Sequence, residues 1–208
     1  MNDVELYSFL KNRSEYEISF TGATKGYCVG IVDIVNSTST TAKLTNGKMC
    51  EYYSIFLNAM SKIAKAHDAT IIKNIGDSLL YYFPRTVDGI EMQGFADVLE
   101  CGLSMIESRT IINKIMSELH LPSLDIRVSA DYGAVSIASS PRTSIEDVFG
   151  PTVNLCAKIN GAAKPNSVII GGDLHQIVRS LRCYEFKMIG ECMLGLKLNY
   201  PAYSVCHK

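Results

Sequence analysis

The sequence predicts an α+β fold: a ferredoxin-like β-α-β-β-α-β core with an antiparallel sheet and two helices on one face, followed by C-terminal α/β additions. Three observations predict it. Residues 28–38, CVGIVDIVNST, open with a β-branched apolar run that reads as a strand. Two long stretches repeat apolar residues every three or four positions, as helices packed on a sheet do. Between them lie two β-rich runs separated by the turn signal Gly76-Asp77. In this order the pieces form a split unit whose first strand lies centrally, beside the hairpin.

Bulk properties narrow the function classes. The 208 residues suffice for one domain with small additions, and an apolar fraction of 47% supports a full core. A formal net charge of −1 argues against a nucleic-acid binder driven by bulk electrostatics. No apolar stretch approaches the roughly 18 residues of a membrane span. The first 17 residues carry charges throughout and do not read as a signal peptide. Seven cysteines without a CxxC pair fit free thiols in a reducing cytoplasm. His67, His120, His175 and His207 have no metal-ligand spacing, which argues against zinc.

Residues 1–24 read as an N-terminal extension, a short helix and a linker, and 25–208 as the main domain. In the opening strand, Asp33 shares a side with Ile31 and Val35. An ionised carboxylate there needs a partner, because desolvating an unpaired charge costs several kcal/mol. That partner is either a basic side chain or polar turn, or a cation held at the strand end. The polar NSTST segment follows. Residues 47–69 place Met49, Tyr53, Phe56, Met60, Ile63 and His67 on one face of a helix of about six turns, with His67 as its solvated cap. Residues 70–75 and 78–83 form the hairpin, stopped by Pro84; at its turn Asp77 on its own is an ordinary turn former.

A second helix spans residues 93–119, with Phe95, Val98, Leu99, Leu103, Ile106, Ile112, Ile115 and Leu119 inward, and Pro122 beyond its end. LDIRVSADYG then alternates, Ile126, Val128, Ala130 and Tyr132 against Arg127, Ser129 and Asp131. Gly133 is expected to turn it into a further strand, AVSIAS, with SPRTSIED as a polar connection. A short helix over residues 150–165 turns Val153, Cys156 and Ile159 inward. A strand at 167–172, a short helix at 173–181 and strands at 183–189 and 200–206 complete the chain. In this topology Asp33 and Asp77 converge at one sheet edge. Two such carboxylates repel unless a cation lies between them, and Asp oxygens with positions left for phosphate suit Mg²⁺ or Mn²⁺.

Four segments in this order resemble a known family: GIVDIVNST (30–38), IIKNIGDSLL (71–80), IRVSADYGAV (126–135) and EDVFGPTVNLCAKI (146–159). Together with a weaker echo at 193–205, they make residues 26–206 similar to the class III nucleotidyl cyclase (adenylate/guanylate cyclase) catalytic domain. The resemblance implies that Asp33, Asp77 and the backbone carbonyl of Ile34 hold two Mg²⁺ or Mn²⁺ ions. These would activate the ribose 3′-hydroxyl for attack on the α-phosphorus, releasing pyrophosphate. The backbone amides of Asn36, Ser37 and Thr38 would receive the outer phosphates. Lys73 and Asp147 fall where ATP-using members carry a lysine donor for adenine N1 and an acceptor for the 6-amino group. Read by themselves they are a solvated strand lysine and a helix N-terminal acid.

Asn154 matches the asparagine that orients the ribose. The resemblance also implies a homodimer with composite sites, since the metal aspartates and the base and ribose residues of one site come from different subunits. The implied activity is a cytoplasmic adenylate cyclase making 3′,5′-cyclic AMP. The alternatives are a guanylate cyclase, or a weakly active nucleotide-binding signalling domain. Two positions depart from the family. Lys158 stands where members carry a transition-state arginine; it keeps the charge but loses the planar fork, a change worth roughly 10²–10³ in rate. Leu194, before Gly195, stands where a phosphate-binding lysine is common, with Lys197 nearby.

Overall fold

The computed structural model describes residues 2–12, 18–20, 24–140, 143–193 and 199–208. The chain opens with the helix α1 (Asp3–Lys11), closed by an Asn2–Glu5 capping box, and a two-residue strand β1 (Ser19–Phe20). There follow β2 (Lys25–Ile34), α2 (Ser37–Thr41), α3 (Asn46–Ala66), β3 (Thr70–Ile75), β4 (Ser78–Phe83), a 3₁₀ segment (Pro84–Gly89) and α4 (Met92–Glu118). The second half comprises β5 (Ile126–Ser140), β6 (Thr143–Phe149), α5 (Pro151–Ala162), β7 (Ser167–Gly171), α6 (Gly172–Val178), β8 (Tyr184–Met193) and β9 (Asn199–His207). The strands lie in the order β3-β4-β2-β5-β7-β9-β8, with β1 and β6 paired to β5. The four strands of the predicted core are all antiparallel, and β5 pairs with β7 in parallel. The α+β, ferredoxin-like reading holds.

Alternation along β2 divides the chain's interior in two. Cys28, Val32 and Ile34 join the main core with Phe56 and Met60 of α3 and Phe95 and Leu99 of α4. Val29 and Ile31 face the other way, into a smaller cluster with Leu80, Tyr82, Val148 and Cys156 of α5. Asp33 therefore lies on the α5 face, not over the main core. Gly30 is required where it is: a Cβ there would come within 2.3 Å of the Tyr81 ring, which is fully packed in the main core.

Several local readings are corrected. Gly133 makes no turn, and β5 runs on for 15 residues. The polar stretch expected as a connection contains β6, which pairs with the far half of β5. In α3 the fully buried stripe is Tyr52, Phe56, Met60 and Ala64 at i+4 spacing, flanked by Met49, Tyr53 and Ile63. In α4 the expected inner residues Ile115 and Leu119 are exposed, because Ile112 and Met116 carry the buried face of the last turns and Leu119 lies past the helix end. The N-terminal stretch is not only a linker, since β1 adds to the sheet through Ser19–Ser139 and Phe20–Ala138 pairing. Among the described residues no helix is long and apolar enough to cross a membrane.

Candidate active site

Strand register assembles the first group of site residues. Asp33 sits opposite Ser78 on β4 and opposite Arg127 on β5. The tight Gly76-Asp77 turn precedes Ser78, so Asp77 arrives at the same strand end. Asp33 is bound through both oxygens: Arg127 Nε donates to Oδ1 at 3.1 Å and Nη2 to Oδ2 at 2.6 Å. Asp77 accepts from Ser37 Oγ at the start of α2. Burial pushes the Asp33 carboxyl above its ordinary range and the nearby Asp77 charge adds to this, while Arg127 holds it down. The two aspartates are thus close enough to feel one another.

Asn36 precedes α2 in the left-handed conformation (φ 55°) and, like Thr38, is exposed, whereas Ser37 is buried. A cleft of about 210 Å³ opens beside Asp33, lined by Ile31, Ile75 and Ser78 of the sheet and Ala157, Asn160 and Gly161 of α5. Among the described residues no group of three or more His, Cys, Asp or Glu side chains could hold a metal. The available donors are two carboxylates with the Ile34 carbonyl beside them in sequence. That set fits Mg²⁺ or Mn²⁺ completed by substrate oxygens and water.

The second group lies on the same sheet face. Strict alternation would put Ile71 and Lys73 on one side, but the register shifts between them and Ile72 is the extra residue. Ile71 therefore packs against the main core, while Lys73 stands opposite Leu80 on the α5 face. There Lys73 Nζ donates to Asp147 Oδ2. Asp147 is in β6, four residues before α5, so it is neither a helix N-terminal acid nor solvated alone. On α5, Asn154, Ala157, Lys158 and Gly161 form the exposed stripe, with Cys156, Ile159 and Asn160 buried behind them. Asn160 Nδ2 donates to the Ile31 carbonyl at 3.1 Å and fixes this helix to β2. Leu194, Gly195 and Lys197 lie outside the described residues.

Sequence reasoning missed three polar residues, Arg127 at the site and the pair Asp131 and Tyr200 further along the sheet. Arg127 stands on the polar side of its alternating strand, but its pairing with Asp33 follows only from cross-strand register. Asp131, on the same polar side, is fully buried. It accepts from the Tyr132 and Leu174 backbone N–H groups and, at 2.8 Å, from the hydroxyl of the third, Tyr200. Burial pushes its carboxyl up to about 6 against these bonds.

Residues 22–205 match the family model of the adenylate and guanylate cyclase catalytic domain. The chain belongs to that family. Within it, the chain is 24% identical over 142 residues to an adenylate cyclase of Streptomyces coelicolor, an overlap covering 68% of this chain and 31% of that protein. It spans only 31% and 18% of the lengths of the two curated relatives it matches. Its fold is similar to that of the adenylyl cyclase CyaB from P. aeruginosa, with a TM-score of 0.80, 18% identity and coverage of 93% of this chain and 97% of that one. It is equally similar to the guanylyl cyclase Cya2, with a TM-score of 0.79, 18% identity and coverage of 89% and 94%.

Proposed function

We propose that this cyclase domain converts ATP to 3′,5′-cyclic AMP and pyrophosphate. The observation that carries the choice of ATP is the Lys73–Asp147 pair, a donor and an acceptor held side by side on one face. Adenine offers the complementary edge: N1 accepts and the 6-amino group donates. Guanine presents a donor at N1 and an acceptor at O6, so the same pair would meet it with like groups facing. Asp33, Asp77 and the Ile34 carbonyl would hold Mg²⁺ or Mn²⁺, which supplies charge neutralisation for the triphosphate and acidifies the attacking hydroxyl. The chain's own residues position: Asn154 orients the ribose, Lys158 meets charge developing on the phosphates, and the amides of residues 36–38 receive outer phosphate oxygens.

The working unit is a homodimer, each site drawing Asp33 and Asp77 from one copy and Lys73, Asp147, Asn154 and Lys158 from the other. Exposed Ile75, Phe20 and Phe149 support this, because they leave apolar surface on the sheet around the site for a second copy to cover.

Purified protein with ATP and Mn²⁺ should yield cyclic AMP, and Asp33→Ala should abolish it. Mixing Asp33→Ala with Asn154→Ala should restore part of the activity by completing one site per dimer; no restoration would sink the composite site. A second reading, a nucleotide-binding signalling domain with little turnover, draws on Lys158 standing in the arginine position. It wins if wild type binds ATP and makes no cyclic nucleotide.

A further inference from the structure

Both carboxylate oxygens of Asp33 are engaged by the guanidinium of Arg127, in the parallel two-bond geometry that matches Arg to carboxylate best. The pair is largely shielded from water, with 24% of the Arg127 side chain and 15% of the Asp33 side chain exposed. Both ends are held by the sheet, because the two residues are direct partners across β2 and β5. A cation cannot reach Asp33 without displacing at least one of these bonds. Displacement has a second consequence. A guanidinium is a permanent cation, so a cation on Asp33 would face an adjacent positive charge whose bonds to that carboxylate it has displaced. The two negative charges of Asp33 and Asp77 do not balance a divalent ion and an arginine together. A polyphosphate does: it brings several negative charges to the same place and offers the released fork a bidentate partner.

From this geometry we infer that Arg127 is an internal stand-in for the metal, closing the Asp33 site until metal and a triphosphate arrive together. The inference rests on the metal-dependent cyclase reading and adds its order of assembly: free divalent cation binds poorly, and nucleotide and cation bind cooperatively. The cleft lined by Ala157 and Gly161 leaves open space beside Asp33 into which such a ligand can enter.

The test is a binding measurement that needs no turnover. Mn²⁺ affinity is measured by electron paramagnetic resonance for the wild type, Arg127→Gln, Arg127→Lys and Asp33→Asn, with and without 3′-deoxy-ATP, which lacks the attacking hydroxyl. Removing a unit positive charge about 5 Å from a divalent ion strengthens its binding on the order of tenfold even at a water-like dielectric. Arg127→Gln should therefore bind Mn²⁺ alone on the order of tenfold more tightly than wild type, and gain less from the analogue. Arg127→Lys, which keeps charge but loses the fork, should fall between them and carries the test if the Gln variant does not fold. Asp33→Asn should lose the site in every condition. Unchanged or weaker Mn²⁺ binding in both Arg127 variants, with Asp33→Asn still abolishing it, overturns the inference and leaves the metal reading standing. Wild-type Mn²⁺ binding that Asp33→Asn does not alter overturns both.

Discussion

Replacing Asp131 with asparagine should make the domain more stable at neutral pH. The carboxyl of Asp131 is fully buried, and its pKa of about 6 lies above the ordinary 3.8 because burial disfavours the ion. A carboxylate whose folded pKa is raised contributes most to stability when protonated, at pH below about 4, and that contribution is lost as pH rises through 6. The shift corresponds to about 3 kcal/mol of penalty by pH 7–8. Asparagine removes the charge and keeps one oxygen for the Tyr132 and Leu174 N–H groups. Its amide cannot accept from Tyr200, which already receives the Asp173 N–H, so about 1 kcal/mol of the gain is offset. The net gain is about 2 kcal/mol at pH 8, roughly 4–8 °C in melting temperature for a domain of this size. Urea unfolding of both proteins from pH 4 to pH 8 isolates the effect, because other carboxylates cancel in the difference. The stability difference should grow in favour of Asp131→Asn as pH rises through 6. A difference that stays flat with pH, or that favours the wild type at pH 8, would show that Asp131 is not a strained ion.

Further outcomes can be checked separately. Lys73→Ala or Asp147→Ala should raise KM for ATP by roughly 10–100-fold, the worth of one lost charge-assisted contact with the base; an unchanged KM in cyclic AMP assays would remove both from base recognition. Initial rates with GTP should be far below those with ATP. Lys158→Arg should raise kcat by about 10-fold or more with KM little changed, since a fork acts chiefly on charge in the transition state. Gly171→Ala should destabilise the fold by more than about 2 kcal/mol in chemical denaturation, because the added Cβ would lie 2.3 Å from the buried Asp131 carboxyl.

The parts of the fold legible in the sequence were those set by local chemistry. The hairpin boundaries at 70–75 and 78–83 follow from β-branched runs around a Gly-Asp turn, and the central strand from its apolar run. What escaped depends on distant partners. Gly133 looked like a turn signal, yet its missing Cβ makes room for Thr152 Oγ1, which would lie 2.6 Å from a Cβ there. Thr143–Phe149 lacks a strong apolar alternation because β6 is held by β5 outside the main ladder. At the candidate site, Asp33 and Asp77 stood out as acids at a strand end and a turn, and the structure brings them together. Arg127 did not stand out, since nothing in a single strand reveals which residue it faces across the sheet. The bulge at Ile72 was invisible for the same reason, and it is what lets Lys73 face Asp147 while Ile71 stays in the core.

The Asn160 contact ties α5 to the strand that carries Asp33 two residues further on. A helix fixed to a strand in this way moves with it as one rigid lever. In a two-fold dimer that shares its sites, the Asn154 end of the lever serves one reaction centre and the Asp33 end serves the other. Closure around nucleotide at one centre would then tug on its twin. In such a dimer the two reaction centres would be mechanically coupled through this helix.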